Sequence, residues 1–412
     1  MYSFNPHTTG HRSTLAYILS VLSTPPLAGF YRLAQQPFPA VSGAVFSSRL
    51  VLGDTVPRTA SAMSLSPPTP HHEPVFAPLA LVSAQGCAAG DFGSSVNGSV
   101  ALVERGGCAF GTKSALAGKA GARALVVYNN EPGSVSGTLG TPEDAHVPTF
   151  GIAREEALDF VKALNNGDKI EAIAYVDSVV SLINTTNIVA QTVAGDQENY
   201  VMLGAHSDSV SEGPGINDDG SGTLSLLEVA TALAGYAVNN CVRFAWWSGE
   251  EEGLLGSDYY VQQLEPEENL RIRLFMDYDM LASPNFAYQV YDARDAVNPK
   301  GSQALRDLYT TYYEEKGVNW TYIPFDGRSD YDGFIRNGIP GGGIATGAEV
   351  SKSQREQAMF GGEAGVPYDK CYHQLCDNVG NVNVTAWVLN TKVRRLGHHS
   401  ATLLVSHLDR WR

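Results

Sequence analysis

Five residues able to ligate a metal follow one another along the chain: His206, Asp218, Glu251, Asp279 and His373. Each stands just after an apolar run or inside a Gly-rich or Cys-bounded turn. Imidazole nitrogens and carboxylate oxygens are ligands that zinc accepts. Five protein ligands are too many for one catalytic zinc that keeps an open position. They fit two zinc ions sharing a carboxylate, and the chemistry of that arrangement is two-metal hydrolysis.

The surroundings of each residue add detail. Ala205-His206-Ser207-Asp208-Ser209 follows the apolar run Tyr200–Ala205, which predicts a buried strand. Ligands of open α/β sheets gather at the carboxyl ends of strands. Asp208 is placed to accept the second ring N–H of His206 and fix its tautomer. The stretch Gly213 to Gly222 lets the backbone approach a ligand closely. A helix is expected to begin near Ser221 as N-cap, and one of Asp218 and Asp219 could bridge two metals. No lysine follows, as a phosphate-binding loop requires. In Trp247-Ser248-Gly249-Glu250-Glu251-Glu252-Gly253 adjacent glutamates diverge, so one can bind metal while its neighbour moves a proton. Met276-Asp277-Tyr278-Asp279 puts acids at the end of an apolar strand, where they cost desolvation energy unless paired or metal-bound. Cys371-Tyr372-His373-Gln374-Leu375-Cys376 reads as a short disulfide loop that would hold Tyr372 and His373 rigidly.

Each motif alone has an ordinary reading: a strand-end histidine, an acidic turn, a surface disulfide loop. Their joint recurrence at strand ends argues for one site. Other chemistries lack their signatures, since the sequence has neither HExxH nor GxSxG and no cysteine stands out as a nucleophile. His71–His72 in a linker and His398–His399 in a terminal helix candidate read as structural or solvated.

The chain has 412 residues, enough for two or three domains. From about Thr186 onward, buried strands alternate with helices. Gly220–Tyr236 is expected to be helical, with Leu226, Ala230 and Leu233 on one face; Val242–Trp247 and Leu274–Met276 are further apolar runs. That pattern predicts an α/β unit with a mixed, mostly parallel central sheet flanked by helices. Residues 1–55 are expected to contribute to it, through a helix carrying Leu15, Ile18, Leu19 and Leu22 and a strand near Phe30–Pro37. Residues 56–180 are expected to form a linker and a small strand-rich unit, with runs at Leu79–Val82, Val100–Val103 and Ala124–Tyr128. Residues 181–412 would form the main part of the α/β unit.

Formal net charge is −15 and the pI about 5.1, which argues against nucleic acid or an anionic membrane as partner. No apolar run reaches the ~18–20 residues of a membrane span. Of the five cysteines, Cys87 with Cys108 and Cys371 with Cys376 are suggestive pairs, and Cys241 is expected to be a buried thiol. Acceptor sequons occur at Asn97, Asn184, Asn319 and Asn383. Together these favour the secretory route, with any targeting segment expected to lie outside this chain.

The strings AHSDS, GPGINDDGSG, SGEEEGLLGS, DYDML and CYHQLCD, in that order, resemble the di-zinc aminopeptidases of the vacuolar aminopeptidase Y and fungal secreted leucine aminopeptidase type. The resemblance is strong over residues 186–390 and weak over residues 5–45. It implies a zinc exopeptidase fold, a peptide substrate with a leucine-like first residue, and an extracellular or vacuolar location. It implies that His206 and Asp279 hold one zinc, Glu251 and His373 the other, and Asp218 bridges them. Asp208 would orient His206, Glu250 would act as general acid/base, Tyr372 would donate to the oxyanion, and Arg328 would lie near the substrate backbone. A cis peptide is implied at Asp218–Asp219. The triple glutamate leaves a second register open, in which Glu251 and Glu252 take the two roles. Residues 75–170 are similar to a protease-associated domain, through Ala101–Phe110, Lys119–Ala122 and Val147–Phe150; the Cys87–Cys108 bridge fits that resemblance. The stretch Arg394–Arg412 is only loosely similar to the family. Carboxypeptidases and glutaminyl cyclases share the scaffold, and receptors that reuse it are expected to lose ligands, none of which is missing here. A monomer is slightly favoured.

Overall fold

Helix α1 (Thr9–Leu22) opens the computed structural model, which describes residues 8–393. The pair His398–His399 and the loosely similar C-terminal stretch lie outside the described residues. Thr8 caps α1, accepting the His11 N–H at 3.1 Å on its side-chain oxygen. Ile18 and Leu22 are buried, with Leu15 and Leu19 packed beside them, as the i, i+3, i+4, i+7 spacing predicts.

Strand β1 (Tyr31–Leu52) follows, then β2 (Ser61–Ala62), β3 (Val75–Leu81) and β4 (Val100–Glu104). Helix α2 (Phe110–Lys119), β5 (Ala124–Tyr128), β6 (Thr149–Ile152), α3 (Arg154–Asn165) and β7 (Glu171–Thr192) complete this stretch. Contacts divide the chain into two compact units. One takes residues up to Ala40 and from Asn184 onward; the other is Val41–Ile183. The packing boundary thus falls at 40/41, earlier than the change of composition near residue 55. The reason is that β1 is unbroken, and its Leu50 and Leu52 pack with Val75 and Val100 in the second unit.

In that second unit β3, β4, β5 and β6 pair in parallel, β7 adds antiparallel to β3, and β2 to β6. Val100 and Leu102 enter one apolar cluster while Ala101 and Val103 enter another. A sheet covered on both faces makes its strands read as unbroken apolar runs. The Cys87–Cys108 disulfide lies in this unit.

The other unit continues with β8 (Asp196–His206), α4 (Ser221–Leu233), β9 (Asn240–Trp247), α5 (Leu255–Gln262), α6 (Pro266–Arg271) and β10 (Ile272–Tyr278). Then come β11 (Gln289–Tyr291), α7 (Ser302–Glu315), β12 (Thr321–Ile323), α8 (Tyr331–Arg336), β13 (Gly341–Ala345), α9 (Gln354–Phe360) and α10 (Val384–Val393). The strand order is β12-β11-β13-β10-β8-β9-β7. The four central strands β13, β10, β8 and β9 run parallel, while β11 and β7 are antiparallel to their neighbours β13 and β9. This is the mixed, mostly parallel sheet that the alternation predicts. Val201, Leu203, Phe244, Trp246, Leu274 and Met276 face one core; Met202, Ala245, Trp247 and Phe275 face the other. Leu226, Ala230 and Leu233 of α4 pack into the first core.

Cys371–Cys376 is also a disulfide, and Cys241 is a buried free thiol. Asn97, Asn184 and Asn319 are exposed. Asn383 is half-buried and accepts the Ala386 N–H at 3.1 Å at the start of α10. Among the described residues no helix is long and apolar enough to cross a membrane.

Candidate active site

Because β9, β8 and β10 are adjacent and parallel, their carboxyl ends lie along one edge of the sheet. Those ends carry His206, the Glu250–Glu251 turn and Asp279. Residue Asp218 sits in the turn Ile216–Gly220 before α4, and Asp218–Asp219 is a cis peptide. His373 enters from the Cys371–Cys376 loop.

Two donor sets result. The ligand atoms of His206, Asp218 and Asp279 lie within 4.8 Å of one another, as do those of Asp218, Glu251 and His373. Asp218 belongs to both: its Oδ1 is 3.2 Å from His206 Nε2 and its Oδ2 is 3.2 Å from His373 Nε2. Glu251 Oε2 is 2.9 Å from His373 Nε2, and Asp279 Oδ1 is 3.8 Å from His206 Nε2. Asp279 Oδ1 is buried with no hydrogen-bond partner. An excess of carboxylates, a shared one with an oxygen toward each imidazole, and an orphaned oxygen aimed at one set are what a pair of cations would satisfy. The donor chemistry fits zinc.

Glu250 stands beside these sets without joining either, its Oε2 4.0 Å from His206 Nε2. Glu252 is buried and also outside both. The Asp208 carboxylate accepts the N–H of Glu250 and of Glu251, each at 3.3 Å. It is the Asp208 backbone carbonyl that receives His206 Nδ1, at 3.1 Å, while the carboxylate stays 3.7 Å away. From there the carboxylate still favours the charged form of His206, so Asp208 faces both the ring and the glutamate turn. Tyr372 stacks on the His373 ring at 3.8 Å between centroids. Arg328 pairs with Glu349 at 2.9 Å, and Arg328 and Tyr372 bias each other's ionisation. His373, Met280 and Leu254 all adopt positive φ (56°, 53° and 60°), a costly conformation for side-chain-bearing residues that concentrates at functional sites.

Several supporting residues carry no motif of their own. Asp219, fully buried, accepts N–H groups of His206, Gly222 and Met280 at 3.3, 2.8 and 3.1 Å, tying β8, α4 and the end of β10 together. Asp377 accepts the N–H of Asn217 at 2.9 Å and of Asp218 at 3.1 Å. Asn381 bridges Asp377 and Asp369 at 2.9–3.0 Å, and Asp369 receives Asn217 Nδ2 at 2.7 Å and Cys371 N at 2.7 Å. This buried network joins Asp218, shared by both donor sets, to the disulfide loop. Ser329 donates to Asp279 at 3.0 Å. The available signal was adjacency: Asn217 and Asp219 flank Asp218, and Asp377 follows Cys376.

Electrostatics follow from burial. Burial pushes Glu250 well above the ordinary carboxylate range; His206 opposes, and Glu251, Asp330 and Asp279 add to it. Burial raises Glu251 to about 7, against the pull of His373. Burial opposes ionisation of Asp218 as well, but its contacts with His206 and His373 outweigh that and hold it well below the usual range. Burial favours the neutral form of His206 and His373, yet the facing carboxylates raise both. Burial and the nearby Asp218 hold the Tyr372 hydroxyl protonated.

Relatives share this architecture. Residues 187–395 match Peptidase family M28, and residues 75–160 match the PA domain. The chain is 46% identical to "Aminopeptidase Y" of Saccharomyces cerevisiae over 95% of this chain and 72% of that protein. It is 42% identical to "Leucine aminopeptidase 2" of Trichophyton rubrum over 93% of this chain and 76% of that one. Among solved structures, an aminopeptidase from Aneurinibacillus sp. strain AM-1 superposes with a TM-score of 0.73 at 26% identity, covering 95% of this chain and 89% of that one. A zinc aminopeptidase from Bacillus subtilis shares the fold with a TM-score of 0.65 at 23% identity, covering 96% and 90% of the two chains. With two donor sets at the strand ends and this extent of shared sequence, the chain belongs to peptidase family M28 and carries a PA domain.

Proposed function

We propose that this protein is a di-zinc aminopeptidase that removes N-terminal residues from peptides, with a leucine-like preference. The observation that carries the reading is Asp218 shared between two donor sets, with Glu250 beside both and inside neither. The similarity to proteins named aminopeptidase Y and leucine aminopeptidase 2 supports the substrate class.

In this reading His206, Asp218 and Asp279 hold one zinc and Asp218, Glu251 and His373 the other. Bound zinc supplies Lewis acidity toward the scissile carbonyl and toward water. Glu250 takes the proton of the attacking water and passes it to the leaving amine. Its raised affinity for protons suits a group that must accept one and release it. Tyr372 keeps its proton and donates a hydrogen bond as negative charge grows on the carbonyl oxygen. Arg328, paired with Glu349, would donate to the substrate backbone. The acidic surroundings favour a substrate with a free, cationic α-amine. Disulfides and exposed sequons support the secretory route, extracellular or vacuolar.

A panel of aminoacyl anilides, run beside C-terminal dipeptide substrates and with metal analysis, tests this. Leucyl and other large apolar anilides should turn over fastest, with about two zinc ions per chain. Release of C-terminal residues, or no metal after gentle purification, would overturn it.

A further inference from the structure

We propose that His11 is a positioning residue for hydrolysis, holding the His206 strand end and the Glu250–Glu251 turn at a fixed separation. The proposal rests on the site reading above. Residue His11 lies in the first turn of α1, far from the site in sequence, and is fully buried. Its Nε2 is 3.1 Å from Ser207 Oγ and 3.3 Å from Ser248 Oγ. Ser207 follows His206 directly, and Ser248 stands two residues before Glu250.

Proton supply fixes the hydrogen-bond directions. Ser207 Oγ donates its one proton to the Trp247 carbonyl at 2.7 Å. Ser248 Oγ donates its own to the Thr186 carbonyl at 2.7 Å. Both hydroxyls can therefore only accept at His11, so Nε2 carries the hydrogen and serves both. The ring is neutral with Nδ1 bare, which agrees with the downward pull of burial on its basicity. Nδ1 is buried without a partner. A phenylalanine would fill the volume with no orphaned atom, so a histidine here points to a use for the Nε2–H.

That use follows from what else ties the two strand ends. Ser207 N–H bonds the Trp247 carbonyl at 2.8 Å within the sheet's end. Ser207 Oγ adds a bond to the same carbonyl at 2.7 Å, while the links that reach the glutamates themselves, from Asp208 to their two N–H groups at 3.3 Å and from Val210 N–H to Glu251 at 3.2 Å, are longer than the common 2.9–3.0 Å. His11 adds a buried two-way link just behind them. Loss of it would leave the donor sets intact and let Glu250 drift relative to His206.

The test compares His11→Phe and His11→Gln in the zinc-loaded enzyme, with Glu250→Gln in parallel. For His11→Phe, kcat should fall about 10- to 100-fold with KM and zinc content nearly unchanged, since a ~1 Å misplacement can cost 10²-fold. His11→Gln, whose amide N–H reaches the Nε2 position, should recover kcat to within about 5-fold of wild type. Wild-type kcat in His11→Phe, or a His11→Gln no better than His11→Phe, overturns the proposal. If His11→Phe does not fold, a cycle of His11→Leu, which also lacks the Nε2–H, with Ser248→Ala decides. A combined loss of kcat smaller than the product of the single losses supports the link, and multiplicative losses overturn it. An active Glu250→Gln would sink the underlying site reading; an inactive one beside a normal His11→Phe sinks this inference alone.

Discussion

Three isosteric substitutions in the triple glutamate separate the roles of its members. Glu250→Gln should retain both zinc ions, because Glu250 belongs to neither donor set. Its backbone stays anchored, since the Glu250 N–H to Asp208 bond does not involve the changed side chain. What is lost is proton transfer, because an amide cannot take the proton that the carboxylate takes. General acid/base groups contribute about 10²–10⁴-fold, so kcat should fall on the order of 10³-fold, about 4 kcal/mol of barrier. Glu251→Gln should behave differently. Glu251 faces His373 at 2.9 Å and accepts the Val210 N–H at 3.2 Å. Removing its charge should cost zinc affinity at or above the ~10–100-fold typical of supporting partners. Glu252→Gln lies outside both sets, and turnover should stay within about 3-fold, with any effect confined to stability. Steady-state kinetics on a leucyl anilide and zinc content per chain read all three. Near-normal turnover of metal-replete Glu250→Gln refutes the base assignment. Zinc loss in Glu252→Gln with turnover loss in Glu251→Gln would move the register by one residue.

Other outcomes follow from the same geometry. In the metal-free chain Glu251 rises from 4.5 and Asp330 from 3.8, each to about 7, with burial the leading cause. Between those unfolded values and about 7 the native state holds protons that the unfolded chain has released, so stability falls as pH rises; zinc should therefore raise Tm more at about pH 8 than at about pH 5, and equal gains would refute this. Asp377→Ala strands the N–H groups of Asn217 and Asp218; at about 1–3 kcal/mol per unmet group, urea unfolding should show a loss of about 3 kcal/mol, and an unchanged midpoint would count against the network. Replacing Cys371 and Cys376 with Ala opens a bridge across a separation of 5 residues; the loop-entropy cost is about 2 kcal/mol, and zinc content should drop from two toward one as His373 loses its anchor, whereas full zinc retention would show that the loop holds without it.

What could be read in the sequence follows from how each part is held. The strands at Tyr200–Ala205, Val242–Trp247 and Leu274–Met276 were legible because a parallel sheet buried on both faces demands unbroken apolar runs. The five donor residues could be picked out because charged groups beside such runs are costly without a partner, and the structure gathers them into two sets. The boundary of the second unit was not legible, because β1 crosses it without any change of local pattern. Spacing gave the proximity of Asp208 to His206 but not its second contact, at the glutamate turn. Its carboxylate accepts two backbone N–H groups there while its own carbonyl receives the His206 ring. His11 carries no local signal, since its ring partners Ser207 and Ser248 are 196 and 237 residues away, and Asp369 splits its bonds between nearby Cys371 and Asn217, 152 residues away.

The two donor sets are held by different physics. His206 and Asp279 extend from neighbouring parallel strands, so the ladder between β8 and β10 fixes their separation before any side chain acts. Glu251 follows β9, the other neighbour of β8. His373 has no such strand. Its loop is tied instead by a disulfide, by Asp369 at Cys371 N, and by Asp377 at the Asp218 backbone. The sheet can place residues only at the ends of its strands; a donor arriving from outside, as His373 does, must be fixed by covalent and buried polar ties. Those ties converge on Asp218, the one residue common to both sets, so the loop that brings His373 also fixes the carboxylate that both sets share. Damage to the ties should therefore weaken the His373 set first, while the strand-borne His206 set loses only the orientation of Asp218.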